Sequence, residues 1–433
     1  MRVLFASYSE KTHFLGMVPL AWALRTAGHE VRVATQPEMV DTVTGAGLTA
    51  VPVGKDHSLW RIQERFMRRK AARWPEARQE RAPEEQLPPF QIADATDTQV
   101  TWDRVKSGYA EGMMIYRSAN EPMLAELVEF CRSWQPDLVI WEPMTYAAPI
   151  AARACGAAQA RLLWSMDAFG RMRYHFRRLR DARPHERGAD PLGEWMTDQA
   201  RKHGTEFSEE MTCGQFTIDQ YPDSIRLESD LHIVPMRYVP YNYTAVVPKW
   251  LWEPPVRPRI VLTLGVSTTE RFGGYAIGLQ GLLDSLSDLD IEVVATVADE
   301  ARQNLSRVPD NTRLVSFVPL HAVVPSCSAV VSHVGFGTVC TTALYGVPQI
   351  ALPEDADAPL VARSLERSGA GLTIPMNETT GARVREYVVR LLEDPAFTAG
   401  AARLREEMLA MPTPNELVPE LERLTTKYRY STT

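Results

Sequence analysis

The chain has 433 residues, more than one ordinary hydrophobic core supports, so two domains are expected. Apolar residues make up 45% and charged residues 23%, the balance of a globular protein in water. A net charge of −7 argues against a general nucleic-acid binder, and no apolar run reaches the ~20 residues a membrane span needs.

The first strand, residues 2–7, starts directly after Met1 and meets charge too early to be the core of a signal peptide. A helix is predicted over 14–26, with Leu15, Val18, Leu20, Trp22 and Leu24 available for a buried side and Gly28 ending it. Residues 30–34 read as a strand, 39–46 as a helix closed by Gly47, and 49–53 as a third strand. Helices over 121–132 and 147–154 each precede a strand, at 137–141 and 161–164. This alternation implies a parallel, doubly wound sheet.

Two charged segments, 55–103 and 168–194, read as irregular. Within the second, Met172, Phe176 and Leu179 share one helical face amid arginines, which fits a solvated surface helix or a docking surface. The proline-rich stretch 247–258 marks a linker. Strands then recur at 259–264, 292–297, 313–317, 329–332, 349–352 and 371–374, so the fold class expected is α/β with two Rossmann-like halves. The expected division is 1–240, a linker at 241–258, 259–412, and a closing helix at 413–433 that packs back on the first half. Ligands of open α/β sheets bind beyond the C-terminal strand ends, which places the expected site in the cleft between halves.

Four strand ends carry chemistry. The first runs into Ser7-Tyr8-Ser9-Glu10-Lys11-Thr12-His13 without a GxGxxG fingerprint. His13 there suits a general base, or equally a local hydrogen bond near a helix start. The run Ser332-His333-Val334-Gly335-Phe336-Gly337-Thr338 joins a strand to a helix-like segment and has the make-up of an anion site, with a tight turn as the plainer reading. Pro353-Glu354-Asp355-Ala356-Asp357 offers carboxylates that could cap a helix or bind hydroxyls of a polyol. Thr263-Leu264-Gly265-Val266-Ser267-Thr268 is a further donor-rich turn. Cys131, Cys155, Cys213, Cys327 and Cys340 show no metal spacing, and their odd number and scatter suit a reducing, cytoplasmic compartment.

Several phrases together resemble the GT-B nucleotide-sugar glycosyltransferases of the antibiotic-tailoring group typified by macrolide desosaminyltransferases. They include Gly28-His29-Glu30-Val31-Arg32-Val33, Gly45-Ala46-Gly47-Leu48 and Pro136-Asp137-Leu138-Val139-Ile140-Trp141-Glu142-Pro143. In the second half they are Phe317-Val318-Pro319-Leu320, Gly346-Val347-Pro348-Gln349 and Gly369-Ala370-Gly371. The likeness covers nearly the whole chain and is weakest across 55–103.

The resemblance implies an inverting transfer of a deoxysugar, an aminodeoxysugar for preference, from a TDP donor to a hydroxyl of a polyketide, macrolide-like aglycone in antibiotic biosynthesis. His13 falls on the general base, with Glu142 as candidate acidic partner and Glu10 as the alternative. His333, Gly335, Gly337 and Thr338 fall on the diphosphate site, Val318 and Pro319 on the stretch framing the base, Asp357 on the donor-sugar contact, and Ser267 near the diphosphate loop. Ser332 and Val334 depart from the family's usual His and Gly. Beyond the TDP-sugar co-substrate no cofactor and no metal are expected. An auxiliary protein resembling a cytochrome P450 is an implied partner, docking at 171–180, and a homodimer is among the assemblies allowed. The rival readings are a nucleotide-sugar epimerase on this fold and a non-catalytic relative that binds the donor or a partner as a scaffold.

Overall fold

Leu138-Val139-Ile140-Trp141 is apolar at every position, so neither face of such a strand can meet water. The computed structural model describes residues 1–57, 59, 93–183, 190–264, 278–353 and 357–430, and in it such apolar runs lie at the centres of two parallel sheets. The chain divides into two units. The first holds Met1–Gln220, Leu227–Arg237 and Pro412–Thr433, the second Tyr221–Arg226 and Tyr238–Met411.

The first sheet contains β1 (Arg2–Ala6), β2 (Glu30–Thr35), β3 (Ala50–Pro52), β4 (Leu138–Trp141), β5 (Ala158–Leu162), β6 (Phe216–Asp219) and β7 (Ile233–Pro235) in the order 3-2-1-4-5-6-7. The order reverses between β1 and β4, where Ala6 lies level with Trp141, so both strands release their chains at one height. The second sheet contains β8 (Arg259–Thr263), β9 (Glu292–Thr296), β10 (Thr312–Val315), β11 (Ala329–Ser332), β12 (Gln349–Ala351) and β13 (Gly371–Thr373) in the order 10-9-8-11-12-13. It reverses between β8 and β11, whose ends Thr263 and Ser332 are also level. Each reversal splays the outgoing connections apart and leaves a crevice at the strand ends.

Several expectations need correction. The helix predicted over 14–26 is two helices, Lys11–Leu15 and Val18–Thr26. Pro19 lacks an N–H and can open a helix but not continue one, so the break falls just before it. The helix predicted over 121–132 runs from Trp102 to Trp134 and carries Pro122 inside it. Gly54 touches that helix at the proline. At φ +68 it lies so near that a Cβ would sit 1.9 Å from the Pro122 carbonyl oxygen. The segment 168–194 is not irregular where described, since helices Ala168–Asp181 and Pro191–Lys202 occupy it. Much of 55–103 lies outside the described residues. The whole stretch read as a linker, 241–258, belongs to the second unit, and in it Trp250, in the Lys249–Leu251 turn, lies beneath the guanidinium groups of Arg259 and Arg313 at 5.4 and 4.9 Å.

The Ala168–Asp181 helix shows how the first unit tolerates buried charge. Met172, Phe176 and Leu179 enter the hydrophobic core, so the apolar face is covered by the protein itself and is not a free docking surface. Arg173, on the same helix, is buried and bonds to both Asp190 oxygens at 2.8 and 2.7 Å and both Glu209 oxygens at 2.6 and 2.8 Å. Arg161 on β5 is fully buried and pairs with Asp167, which caps the helix through Gly170 N–H at 2.8 Å. Losing Asp167 would strand the Arg161 charge in the interior, a loss of about 3–5 kcal/mol. The closing helix, Pro414–Tyr428, begins with a capping box of Thr413 and Glu416 and packs on helix Val18–Thr26 and β5.

His175 of the same helix is fully enclosed, and its nearest acid, Asp97, stands 3.6 Å away, too far for a good hydrogen bond. Burial first, then the charge of Arg171, pulls its pKa down to about 4. The unfolded chain therefore binds this proton at higher pH than the folded one. Stability should be intact above about pH 6.5 and fall as pH drops from there towards 4. Thermal melts of His175→Phe across that window are expected to show a shallower decline than wild type; an equal slope would remove His175 from the account.

Candidate active site

At the β1/β4 reversal the first unit builds a buried acid–imidazole pair. Beyond β1 the backbone is tied down residue by residue. Tyr8 N–H donates to Thr145 Oγ1 at 2.8 Å, Ser9 N–H to Gln36 Oε1 at 2.7 Å, and Thr12 N–H to Glu10 at 3.3 Å. Glu10 thus caps the short helix that carries His13 and does not serve the imidazole as its acid. The neighbouring strand supplies that acid. Glu142, one residue past β4 and fully buried, stands 3.0 Å from His13 Nδ1 through Oε2.

Glu142 is surrounded by donors. Oε2 also accepts from Met144 N–H at 3.1 Å and from the Trp164 indole N–H at 3.1 Å, while Thr145 Oγ1 donates to Oε1. A carboxylate so placed accepts the proton on Nδ1 and leaves the His13 Nε2 lone pair directed away, with no protein partner among the described residues. His13 is itself nearly buried, and the Trp164 indole lies flat on it, with ring centroids 3.9 Å apart and 13° between planes. Tyr8 meets the imidazole edge-on at 5.5 Å. Strand ends β1, β4 and β5 are adjacent in the sheet, which is why residues so distant in sequence converge.

The second unit arranges its β8/β11 reversal differently. Helix Phe336–Leu344 starts with Gly335 as its cap, three residues earlier than the helical segment expected from sequence, so Gly337 and Thr338 lie in its first turn. The first N–H groups of a helix have no carbonyl four residues back and face outwards as anion donors. His333 N–H bonds to the Thr263 carbonyl at 3.3 Å, linking the two strand ends. Its ring lies against Gly335, where a Cβ would come 2.7 Å from Nε2, so residue 335 must be glycine while the imidazole keeps this position. Burial lowers the His333 pKa, and Nδ1 is enclosed without a partner among the described residues. At neutral pH the ring is a neutral donor.

The other candidates fall around this turn. Val318 and Pro319 are both buried, just beyond β10. Asp357 stands at the N-cap of helix Ala358–Arg367 but its side chain makes no capping bond. Ser267 lies outside the described residues. Tyr221 and Tyr238 were not singled out from sequence. Both meet Phe336, the first residue of the helix, edge-on at 5.4 and 5.3 Å. No periodicity marks them, because each belongs to a short irregular stretch. Trp164 was likewise read only as part of a strand. Among the described residues no group of three or more His, Cys, Asp or Glu is placed to hold a metal ion, and no helix is long and apolar enough to cross a membrane.

Val334, where the family's usual residue is glycine, takes a left-handed φ of +71°. That geometry costs a side-chain-bearing residue ~1–2 kcal/mol. The valine is almost wholly buried, which is worth ~1.5–3 kcal/mol, and its N–H is held by Ser332 Oγ at 3.2 Å. Burial outweighs strain, and Ser332 secures the turn. At an ordinary buried site alanine replaces valine better than glycine does. Here denaturant titrations should find Val334→Gly more stable than Val334→Ala by about 1 kcal/mol, and the reverse order would contradict the strained turn.

The model of the "erythromycin biosynthesis protein CIII-like" family matches this chain in both parts, its N-terminal domain over residues 22–265 and its C-terminal domain over 280–424. The chain is similar to 10-deoxymethynolide desosaminyltransferase of Streptomyces venezuelae, 47% identical over 99% of this chain and 98% of that protein. It is similar also to tylactone mycaminosyltransferase of Streptomyces fradiae, 44% identical over 99% and 93%. Among solved structures, the glycosyltransferase VinC in complex with dTDP superposes with a TM-score of 0.85 at 38% identity, covering 99% of this chain and 100% of that one. The spinosyn forosaminyltransferase SpnP gives 0.79 at 37%, over 98% and 99%. With its two parallel-sheet Rossmann-like units, the chain belongs to the erythromycin biosynthesis protein CIII-like family and is a glycosyltransferase of the GT-B fold.

Proposed function

We propose that the enzyme moves a deoxysugar, an aminodeoxysugar for preference, from a TDP donor to a hydroxyl of a macrolide-like polyketide. The observation that carries the substrate class is the 47% identity, along nearly the whole chain, to 10-deoxymethynolide desosaminyltransferase. The relatives named above are transferases, and none favours the epimerase reading.

The first unit takes the aglycone and supplies the base. His13 Nε2 removes the proton of the acceptor hydroxyl as its oxygen bonds to the sugar C1, while Glu142 holds the Nδ1 proton and offsets the imidazolium charge. The bond from C1 to the donor diphosphate breaks with its electron pair on the leaving oxygen. The open N–H groups of the Phe336–Leu344 helix and the His333 ring receive that charge. Thr338 adds a donor at the same turn, Val318 and Pro319 frame the nucleobase, and Asp357, at the start of helix Ala358–Arg367, reaches sugar hydroxyls. One displacement from the opposite face inverts C1. No metal enters this scheme.

Five free cysteines fit a reducing, cytoplasmic setting. An auxiliary P450-like activator remains part of the reading. With the apolar face of helix Ala168–Asp181 in the core, it would meet the arginine edge around the exposed Arg177.

His13→Ala is expected to lower kcat by about 10²–10⁴-fold with TDP affinity retained, measured with a TDP-deoxysugar and a macrolactone. Unchanged turnover would sink the base assignment. His333→Ala should weaken TDP binding about 10–100-fold in calorimetric titration, through loss of a hydrogen bond to charge. If the wild type binds neither TDP nor UDP, the scaffold reading takes over.

A further inference from the structure

Trp164 does two things to the acid–imidazole pair that no other residue does together. Its ring covers one face of His13 almost in parallel, and its indole N–H occupies the same Glu142 oxygen that holds His13 Nδ1. The indole is therefore bound to both members of the pair. It comes from the end of β5, two residues past Leu162, and is only half-buried. It packs against the edge of the first unit's core, and it lies past the end of β5, next to β4, on the side where the strands release their chains, with Phe169 against it at 6.3 Å.

We propose that Trp164 is a positioning residue for the transfer step, acting through His13; the inference rests on His13 being the base. Stacking fixes the plane of the imidazole, so Nε2 keeps one direction through the reaction instead of swinging about the Cβ–Cγ bond. The indole face is also electron-rich, and a cation over it is stabilised. As the acceptor proton arrives on Nε2, the ring becomes a cation, and the stacked indole lowers the energy of that charged form relative to the neutral one. The indole N–H meanwhile keeps Oε2 from rotating away. The proton passes from the acceptor oxygen to Nε2 and later to water, and Trp164 itself exchanges nothing.

The test compares Trp164→Leu and Trp164→Phe with wild type, each also in a His13→Ala background, using single-turnover transfer and pH profiles of kcat/KM. Thermal melts check that the variants are folded, and calorimetric TDP titration, which reads the donor turn of the other unit, is expected to be unchanged. Expected are a kcat about 10–100-fold lower for Trp164→Leu, little change in acceptor KM, and an acid limb displaced by about half to one pH unit towards lower pH as imidazolium support is lost. Trp164→Phe, which keeps a ring over His13, should recover most of the kcat. Neither change should matter once His13 is absent. A loss confined to acceptor KM, an unmoved acid limb, or an equal loss in the His13→Ala background would overturn the proposal. If His13→Ala alone retains full turnover, the base reading fails, and the positioning role with it, without reference to the Trp164 variants. Should Trp164→Leu not fold, Trp164→Met, which also removes the ring, decides the matter through its kcat and KM: a kcat about tenfold lower at constant KM supports the role, and an unchanged kcat or a change in KM alone refutes it.

Discussion

The chemistry of the first unit depends on one buried carboxylate. Glu142 has no exposed surface, and an ionised acid in that position is tolerable only if its oxygens are satisfied. Four donors do this, from His13, Met144, Thr145 and Trp164, and they come from three separate local structures. Satisfying the charge therefore fixes the relative positions of the β1 turn, the β4 exit and the β5 exit. Thr145 extends the lock, since its hydroxyl also accepts the Tyr8 N–H. The geometry that makes Glu142 bearable is the same geometry that presents His13 in one tautomer.

That arrangement was partly legible in sequence. Apolar runs such as Val330-Val331 and Ile260-Val261-Leu262 set the strands of the second half to within a residue or two, because burial on both faces leaves little choice. Helix limits were harder to read. Pro122 looks like a helix start, and only tertiary packing of Trp102–Trp134 along the neighbouring helix Ala147–Cys155 carries the helix through it. The helix Ala168–Asp181 was obscured by its arginines, whose counter-charges Asp190 and Glu209 lie 17 and 36 residues away. Strands β6 and β7 are four and three residues long, below what alternation can signal.

For the site, His13 and Glu142 could each be placed at a strand end, but their pairing requires knowing that β1 and β4 are neighbours. Sequence spacing does not contain that fact: 129 residues separate them. Trp164 was invisible as a functional residue for the same reason. Its importance lies in two contacts, 22 residues back to Glu142 and further still to His13, and aromatic residues are common in cores. The departure at Val334 was legible as an oddity, whereas the reason it persists, a buried side chain and the Ser332 hydroxyl, appears only in three dimensions.

The two sheet reversals are built alike and yet cannot exchange roles. After β1 the backbone N–H groups are consumed one by one, by Thr145, Gln36 and Glu10, which leaves a turn rich in filled acceptors and no open donor array for a phosphate. An anion brought there would also meet Glu142 and Glu38. After β11 only the Val334 N–H is taken by a side chain, and the helix that follows begins on a glycine cap without a side-chain acceptor, so its first N–H groups stay open. Capping Phe336–Leu344 with a serine or aspartate would stabilise the helix and close the anion site in the same stroke. Glycine at 335, forced by the approach of His333, prevents this. The weaker cap is thus what leaves the second unit able to take a diphosphate, while the saturated turn of the first unit is what lets it hold a base.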